Sequence, residues 1–194
     1  MCGIVGAVSK REVAPILIEG LKRLEYRGYD SAGLSTVEDG SGLTQMREVG
    51  KVLGLEAIVA ESEINGKLGI AHTRWATHGK PSVNNAHPHV SSNKISVVHN
   101  GIIENFQEIK DFLANEGYEF QSETDSEVIP HLIHYHFEVV QDLLEAVRQS
   151  VKQLRGAYAV GVIHKDHQNK LIAARSGSPL VVGKGIGENF IASD

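Results

Sequence analysis

The chain has 194 residues, a hydrophobic fraction of 41%, a charged fraction of 22% and a formal net charge of -5. These are the proportions of one soluble globular domain with a substantial core, and no apolar run approaches the roughly 20 residues that span a bilayer. Net negative charge with scattered basic residues argues against nucleic acid as a partner, and a single cysteine excludes an intrachain disulfide framework.

Residues 2–8 are apolar and β-branched with two glycines, which predicts a buried strand that another backbone or a ligand approaches closely. The apolar start is broken by Ser9, Lys10, Arg11 and Glu12, too early for a signal peptide, so a cytoplasmic setting is expected. Val13, Ile16, Leu17, Leu21 and Leu24 recur at steps of three and four and predict a helix over 12–24. A loop at 26–33 leads to a strand over 34–38, a hairpin turn at 40–42, a strand over 43–49 and a helix over 51–60. After a short strand at 67–72 comes a stretch from Thr73 to Asn93 without apolar periodicity. A loop of that length inside a domain points to function.

Further along, 95–99 reads as a strand, Asn100-Gly101 as a sharp turn and 104–115 as a helix with Phe106, Ile109 and Leu113 on one face. Asp125 is expected to cap a helix reaching residue 137, followed by another over 143–154. Strands are predicted over 157–164, 171–174, 180–182 and 187–192. Strands in runs and helices in pairs indicate an α+β fold. Ser193-Asp194 is not a natural stop, so the domain is expected to be cut short at its C-terminal end, within a longer polypeptide.

The chemistry begins at Cys2, the only cysteine. Removal of Met1, favoured when the next side chain is small, would leave a thiol and an α-amine on one carbon. With a pKa of roughly 7.7–8.0, such an amine can take the thiol proton near neutral pH, so one residue supplies both nucleophile and base. An asparagine NH2 and a glycine N–H, as in Asn100-Gly101, suit the developing negative oxygen of a tetrahedral intermediate, although Asn-Gly alone is a turn dipeptide. Arg74 has the planar fork for a substrate carboxylate, and Asp125 suits a substrate ammonium; taken separately, one is a surface cation and the other a helix cap. Trp75, Thr77, His78 and Gly79 lie on a loop that could close over a substrate. The ten histidines include His87, His89, His131, His134 and His136, but no spacing matches a zinc pattern, and Gly183, Gly185 and Gly187 form no dinucleotide fingerprint, so neither metal nor cofactor is expected.

Four separated motifs carry a resemblance. Met1-Cys2-Gly3-Ile4-Val5-Gly6, His72-Thr73-Arg74-Trp75-Ala76-Thr77-His78-Gly79, Val98-His99-Asn100-Gly101-Ile102-Ile103-Glu104-Asn105 and Glu123-Thr124-Asp125-Ser126-Glu127 resemble the class II glutamine amidotransferases, the N-terminal nucleophile glutaminases. Within them, Leu24-Glu25-Tyr26-Arg27-Gly28-Tyr29-Asp30-Ser31-Ala32-Gly33 looks like the branch that makes glucosamine 6-phosphate. The resemblance covers the whole chain and implies a four-layer αββα sandwich of the N-terminal nucleophile hydrolase type. It implies Cys2 as nucleophile, Asn100 and Gly101 as oxyanion hole, Arg74 and Asp125 on the carboxylate and amino group of L-glutamine, and Trp75, Thr77, His78 and Gly79 in the glutamine pocket. Arg27 matches a family arginine near the nucleophile. The implied whole protein carries a C-terminal sugar isomerase domain, absent here, that uses the ammonia, and it forms a homodimer. The glutaminase of another class II amidotransferase, a non-catalytic glutamine sensor and a purely structural half of a dimer remain the competing readings.

Overall fold

A computed structural model describes residues 2–40, 42–76 and 79–194. Met1, Thr77 and His78 therefore lie outside the described residues. Strand β1 (Gly3–Ser9) leads into helix α1 (Ala14–Leu24), the hairpin β2 (Ser31–Glu38) and β3 (Gly42–Val49), helix α2 (Val52–Ala60) and strand β4 (Leu68–Arg74). Strands β5 (His89–Ser91) and β6 (Ile95–Gly101) follow, then helices α3 (Phe106–Asn115), α4 (Val128–Val140) and α5 (Leu143–Val151). The chain ends on β7 (Tyr158–His164), β8 (Ile172–Ser176), β9 (Val181–Lys184) and β10 (Glu188–Ala192).

The strands form two sheets, ordered β3-β2-β4-β1-β10-β9 and β5-β6-β7-β8, and every ladder is antiparallel. Alternation along each strand then sorts side chains into layers. On β1, Val5 and Ala7 pack with Leu17 and Leu21 of α1, whereas Ile4 faces the other sheet with Ile70, Val98 and Ala159. On β7, Val160 and Val162 pack under α3, α4 and α5 with Ile109, Leu132 and Val147. Three apolar layers thus separate four layers of secondary structure, the αββα sandwich of N-terminal nucleophile hydrolases.

Several boundaries differ from the sequence expectation. Strand β2 begins at Ser31, because Ser31, Ala32 and Gly33 are small, buried and paired with β4 and β3. Gly33 is tightly enclosed there: an added Cβ would stand 2.1 Å from the His87 carbonyl oxygen. Strand β4 runs on to Arg74, and the expected loop after it contains β5. Asn100-Gly101 is the end of β6, paired with Ala159 and Tyr158, and no sharp turn. Asp125 does not cap α4; Glu127 holds the N-cap position without a side-chain cap, and its carboxylate accepts from Gln121 N, Ser122 N and Ser122 Oγ. In α1 the stripe includes Ile18, and Ile16 is only partly buried.

Candidate active site

Strand register brings the site together at one end of the sandwich. Because Gly3 pairs with Thr73, Cys2 lies across from Arg74 at the end of β1 and β4. Leu68 and Ile70 face the second sheet, so period-two alternation sends His72 and Arg74 the same way; on β6, Val98 does so and Asn100 follows. Cys2, Arg74 and Asn100 converge from two sheets on a cleft of about 350 Å³, a volume in the range of small-molecule sites, with His72 packed behind Asn100. Cys2, Arg74, Trp75, Asn100, Gly101 and Asp125 line it, and Arg27 reaches its wall.

Cys2 Sγ accepts from Trp75 N–H at 3.2 Å. Burial pushes the thiol pKa up, and this hydrogen bond works in the opposite direction. The sulfur is therefore a thiol at rest and needs a base to act as a nucleophile. Asn100 Nδ2 donates to the Cys2 carbonyl at 3.1 Å, so its amide is directed at the backbone of the residue that carries the thiol. Gly101 has φ 123°, and an added Cβ would meet the Ala157 oxygen at 2.0 Å, which explains glycine there.

Arg74 is only 3% exposed. Its guanidinium donates to the carbonyls of Gly79 at 3.1 Å and Lys80 at 3.4 Å, and lies 3.7 Å from Asp30 Oδ1. Gly79 therefore joins the site through Arg74 and does not line the cleft itself. Asp125 Oδ2 accepts from Ile103 N–H at 2.7 Å, tying the 121–127 loop to the chain after β6. Arg27 donates to the Ser193 carbonyl at 3.2 Å and lies 3.6 Å from Asp194, so it fastens the segment after β10 at the cleft that Cys2 lines. The side chain of Trp75 is 54% exposed, edge-on to Tyr29 with ring centroids 6.5 Å apart.

The description "Glutamine amidotransferase domain" matches residues 72–194. The chain belongs to the glutamine amidotransferase domain family. Over all its 194 residues it is 61% identical to a protein of Acinetobacter baylyi and 59% identical to one of Yersinia pseudotuberculosis, each named glutamine--fructose-6-phosphate aminotransferase (isomerizing). It spans about a third of their length, 31% and 32% respectively. Among solved structures, a glutamine phosphoribosylpyrophosphate amidotransferase from B. subtilis superposes with a TM-score of 0.84 at 30% identity, covering 99% of this chain and 42% of that one. A glutamine aminotransferase class-II domain protein from Silicibacter pomeroyi shares the fold, with a TM-score of 0.67 at 16% identity over 98% of this chain and 88% of its own.

Sequence reasoning about this amidotransferase domain missed a group of buried histidines behind Cys2. The ring of His87 lies against His72 at 4.1 Å and His89 at 4.6 Å, and His99 shares a 2.7 Å hydrogen bond with Ser126 through Nδ1. His87 and His99 also line the cleft, as do Ser178 and Pro179. The signal for His72 was its two-residue offset from Arg74 on one strand; Ser178 and Pro179 had none. Among the described residues no three His, Cys, Asp or Glu side chains are arranged to hold a metal ion. No described helix is long and apolar enough to cross a membrane.

These histidines give the amidotransferase domain a pH signature. Burial, partly offset by hydrogen bonds to Asn100 and His99, holds the His72 pKa down at about 4 against an ordinary 6.5. Burial lowers His89 in the same direction. Between the two pKa values the unfolded chain binds more protons, so stability is full above about pH 6.5 and falls toward pH 4, by up to about 1.4 kcal/mol per pH unit for each such histidine. Burial works against the Glu127 carboxylate, but its hydrogen bonds to His131, Ser122 and Gln121 outweigh that and hold it below its ordinary 4.5, so further stability is lost below that pH. Urea midpoints at pH 7.5 and 5.0 check this: the lower pH is expected to give the lower midpoint, and equal midpoints would contradict it.

Proposed function

We propose that this chain hydrolyses the side-chain amide of L-glutamine to glutamate and ammonia through a γ-glutamyl thioester on Cys2. With Met1 removed, the Cys2 amine takes the thiol proton, and the thiolate attacks the amide carbon. The carbonyl oxygen becomes an oxyanion, stabilised by Asn100 Nδ2 and the Gly101 N–H. As the oxyanion collapses, the carbon–nitrogen bond breaks and the amine's extra proton leaves with ammonia. Water then adds to the thioester with the amine as base, the carbon–sulfur bond breaks, and glutamate departs. Arg74 holds the substrate carboxylate and Asp125 its amino group, while Trp75, Thr77 and His78 contribute to the pocket and Gly79 contributes by holding Arg74. Arg27 stays beside the site.

One observation supports this most strongly: a single cleft gathers the only thiol, an asparagine amide directed at the thiol's residue, a buried guanidinium and a carboxylate. In the larger reading, residues 1–194 belong to a glutaminase domain in the cytoplasm. Its ammonia serves a C-terminal sugar isomerase domain making glucosamine 6-phosphate from fructose 6-phosphate, within a homodimer. The likeness to the Acinetobacter baylyi and Yersinia pseudotuberculosis proteins supports that assignment.

Asn100→Ala tests the mechanism. The expected fall in kcat for glutamate release is roughly 10²–10³-fold, with KM for glutamine within a few-fold, because the lost donor acts on charge present only in the transition state. An unchanged kcat would remove Asn100 from the oxyanion hole.

A further inference from the structure

His72 lies on β4 in the six-stranded sheet, is fully buried, and reaches across to β6 in the other sheet. Its Nε2 is 3.0 Å from the His99 carbonyl oxygen and 2.9 Å from Asn100 Oδ1. A carbonyl oxygen only accepts, so Nε2 carries the proton, and a neutral imidazole has just that one N–H to share between both. The His87 ring, tilted 33° to His72 at 4.1 Å, restrains rotation about the ring bond.

This geometry settles which way the Asn100 amide points. With Oδ1 on His72, the NH2 group faces the Cys2 residue, where it donates to the Cys2 carbonyl at 3.1 Å. Turning the amide over would set NH2 against the Nε2–H and Oδ1 against the Cys2 carbonyl oxygen, replacing two attractions by two repulsions. We propose that His72 is a positioning residue for the reaction: its Nε2–H holds Asn100 in the one orientation that presents an N–H donor to the developing oxyanion. The role rests on Asn100 acting as the oxyanion donor proposed above. Among the described residues, His72 does not itself line the cleft and is not hydrogen-bonded to the thiol, so it acts on the reaction through Asn100.

The test compares His72→Leu, which removes the donor, with His72→Gln, whose side-chain amide can restore an N–H near the Nε2 position. His72→Asn, polar but too short, and Asn100→Ala complete the set. Each is assayed for glutaminase kcat and KM, for glutamate affinity, and for affinity toward the γ-aldehyde analogue of glutamate. That aldehyde adds to the Cys2 thiol: a sulfur–carbon bond forms, the carbonyl π bond opens, and the thiol proton passes to the oxygen of a tetrahedral adduct. Its oxygen occupies the oxyanion position, so its affinity reads the donor set, whereas glutamate reads only the rest of the cleft.

His72→Leu is expected to lower kcat and aldehyde affinity together, by roughly 10–100-fold, with glutamate affinity within about threefold. His72→Gln is expected to recover most of both. If the leucine variant does not fold, the glutamine and asparagine variants still decide, since only the asparagine variant should be slow. Loss of glutamate and aldehyde affinity in equal measure would overturn the proposal by making His72 a general support of the cleft. So would wild-type aldehyde affinity in His72→Leu while Asn100→Ala loses it. Wild-type kcat and aldehyde affinity in Asn100→Ala would instead overturn the oxyanion assignment on which the proposal rests.

Discussion

Cys2→Ala is expected to abolish glutamate release, with a fall in kcat of roughly 10³-fold or more, because covalent catalysis has no second thiol to use. The change should leave the fold in place. Cys2 precedes β1, and the side chain gives up one accepted hydrogen bond from Trp75, a loss of about 1 kcal/mol. Glutamine affinity should stay within a few-fold, since Arg74 and Asp125 are untouched. Isothermal titration with glutamine and a glutamate-release assay on one preparation separate these quantities. Retained turnover in Cys2→Ala would remove the thioester, and loss of glutamine binding with unchanged stability would mean that the sulfur serves binding.

Keeping the Cys2 amine inside a peptide bond is expected to cost nearly as much. Among the described residues no carboxylate or histidine hydrogen-bonds Cys2 Sγ; its contacts there are the Trp75 N–H at 3.2 Å and the Trp75 carbonyl at 3.6 Å. Neither is a base for a thiol that burial keeps protonated. In the proposed mechanism the freed α-amine fills that role, and removing a positioned general base typically lowers a rate by roughly 10²–10⁴-fold. A bulky residue inserted between Met1 and Cys2 prevents methionine removal and supplies the comparison, with intact mass confirming each N-terminus. The blocked form should be inactive yet equally stable. Full activity with the amine blocked would defeat the mechanism.

The residues that line the cleft were easier to name from the sequence than the scaffolding that holds them. Cys2, Arg74, Asn100, Gly101 and Asp125 could be named because each residue type has a distinctive chemical use, and the cleft does bring them together. Their local structure was harder to read. The strand carrying Arg74 was expected to stop at residue 72, since His72, Thr73 and Arg74 break the apolar pattern; they are nonetheless buried and paired, Arg74 lining the cleft and His72 hydrogen-bonded to Asn100. Asp125 looked like a helix cap, yet its carboxylate is taken by the Ile103 N–H from a different segment, a contact that no local pattern announces. The same holds for β10, whose Ala192 pairs with Val5 at the far end of the chain, and for Ser178 and Pro179 in the cleft. His72 stood inside a quoted motif without a role, because its use depends on Asn100 arriving from another sheet.

The central claim is that a free N-terminal Cys2 carries the γ-glutamyl group during turnover. Acid quenching of the protein within milliseconds of mixing with glutamine, followed by intact mass and peptide mapping, tests it most directly. A chain lacking Met1 and carrying one γ-glutamyl group on the Cys2 peptide is expected, with no adduct in Cys2→Ala. Glutamate release from a chain that retains Met1, or an adduct on any other residue, would contradict it.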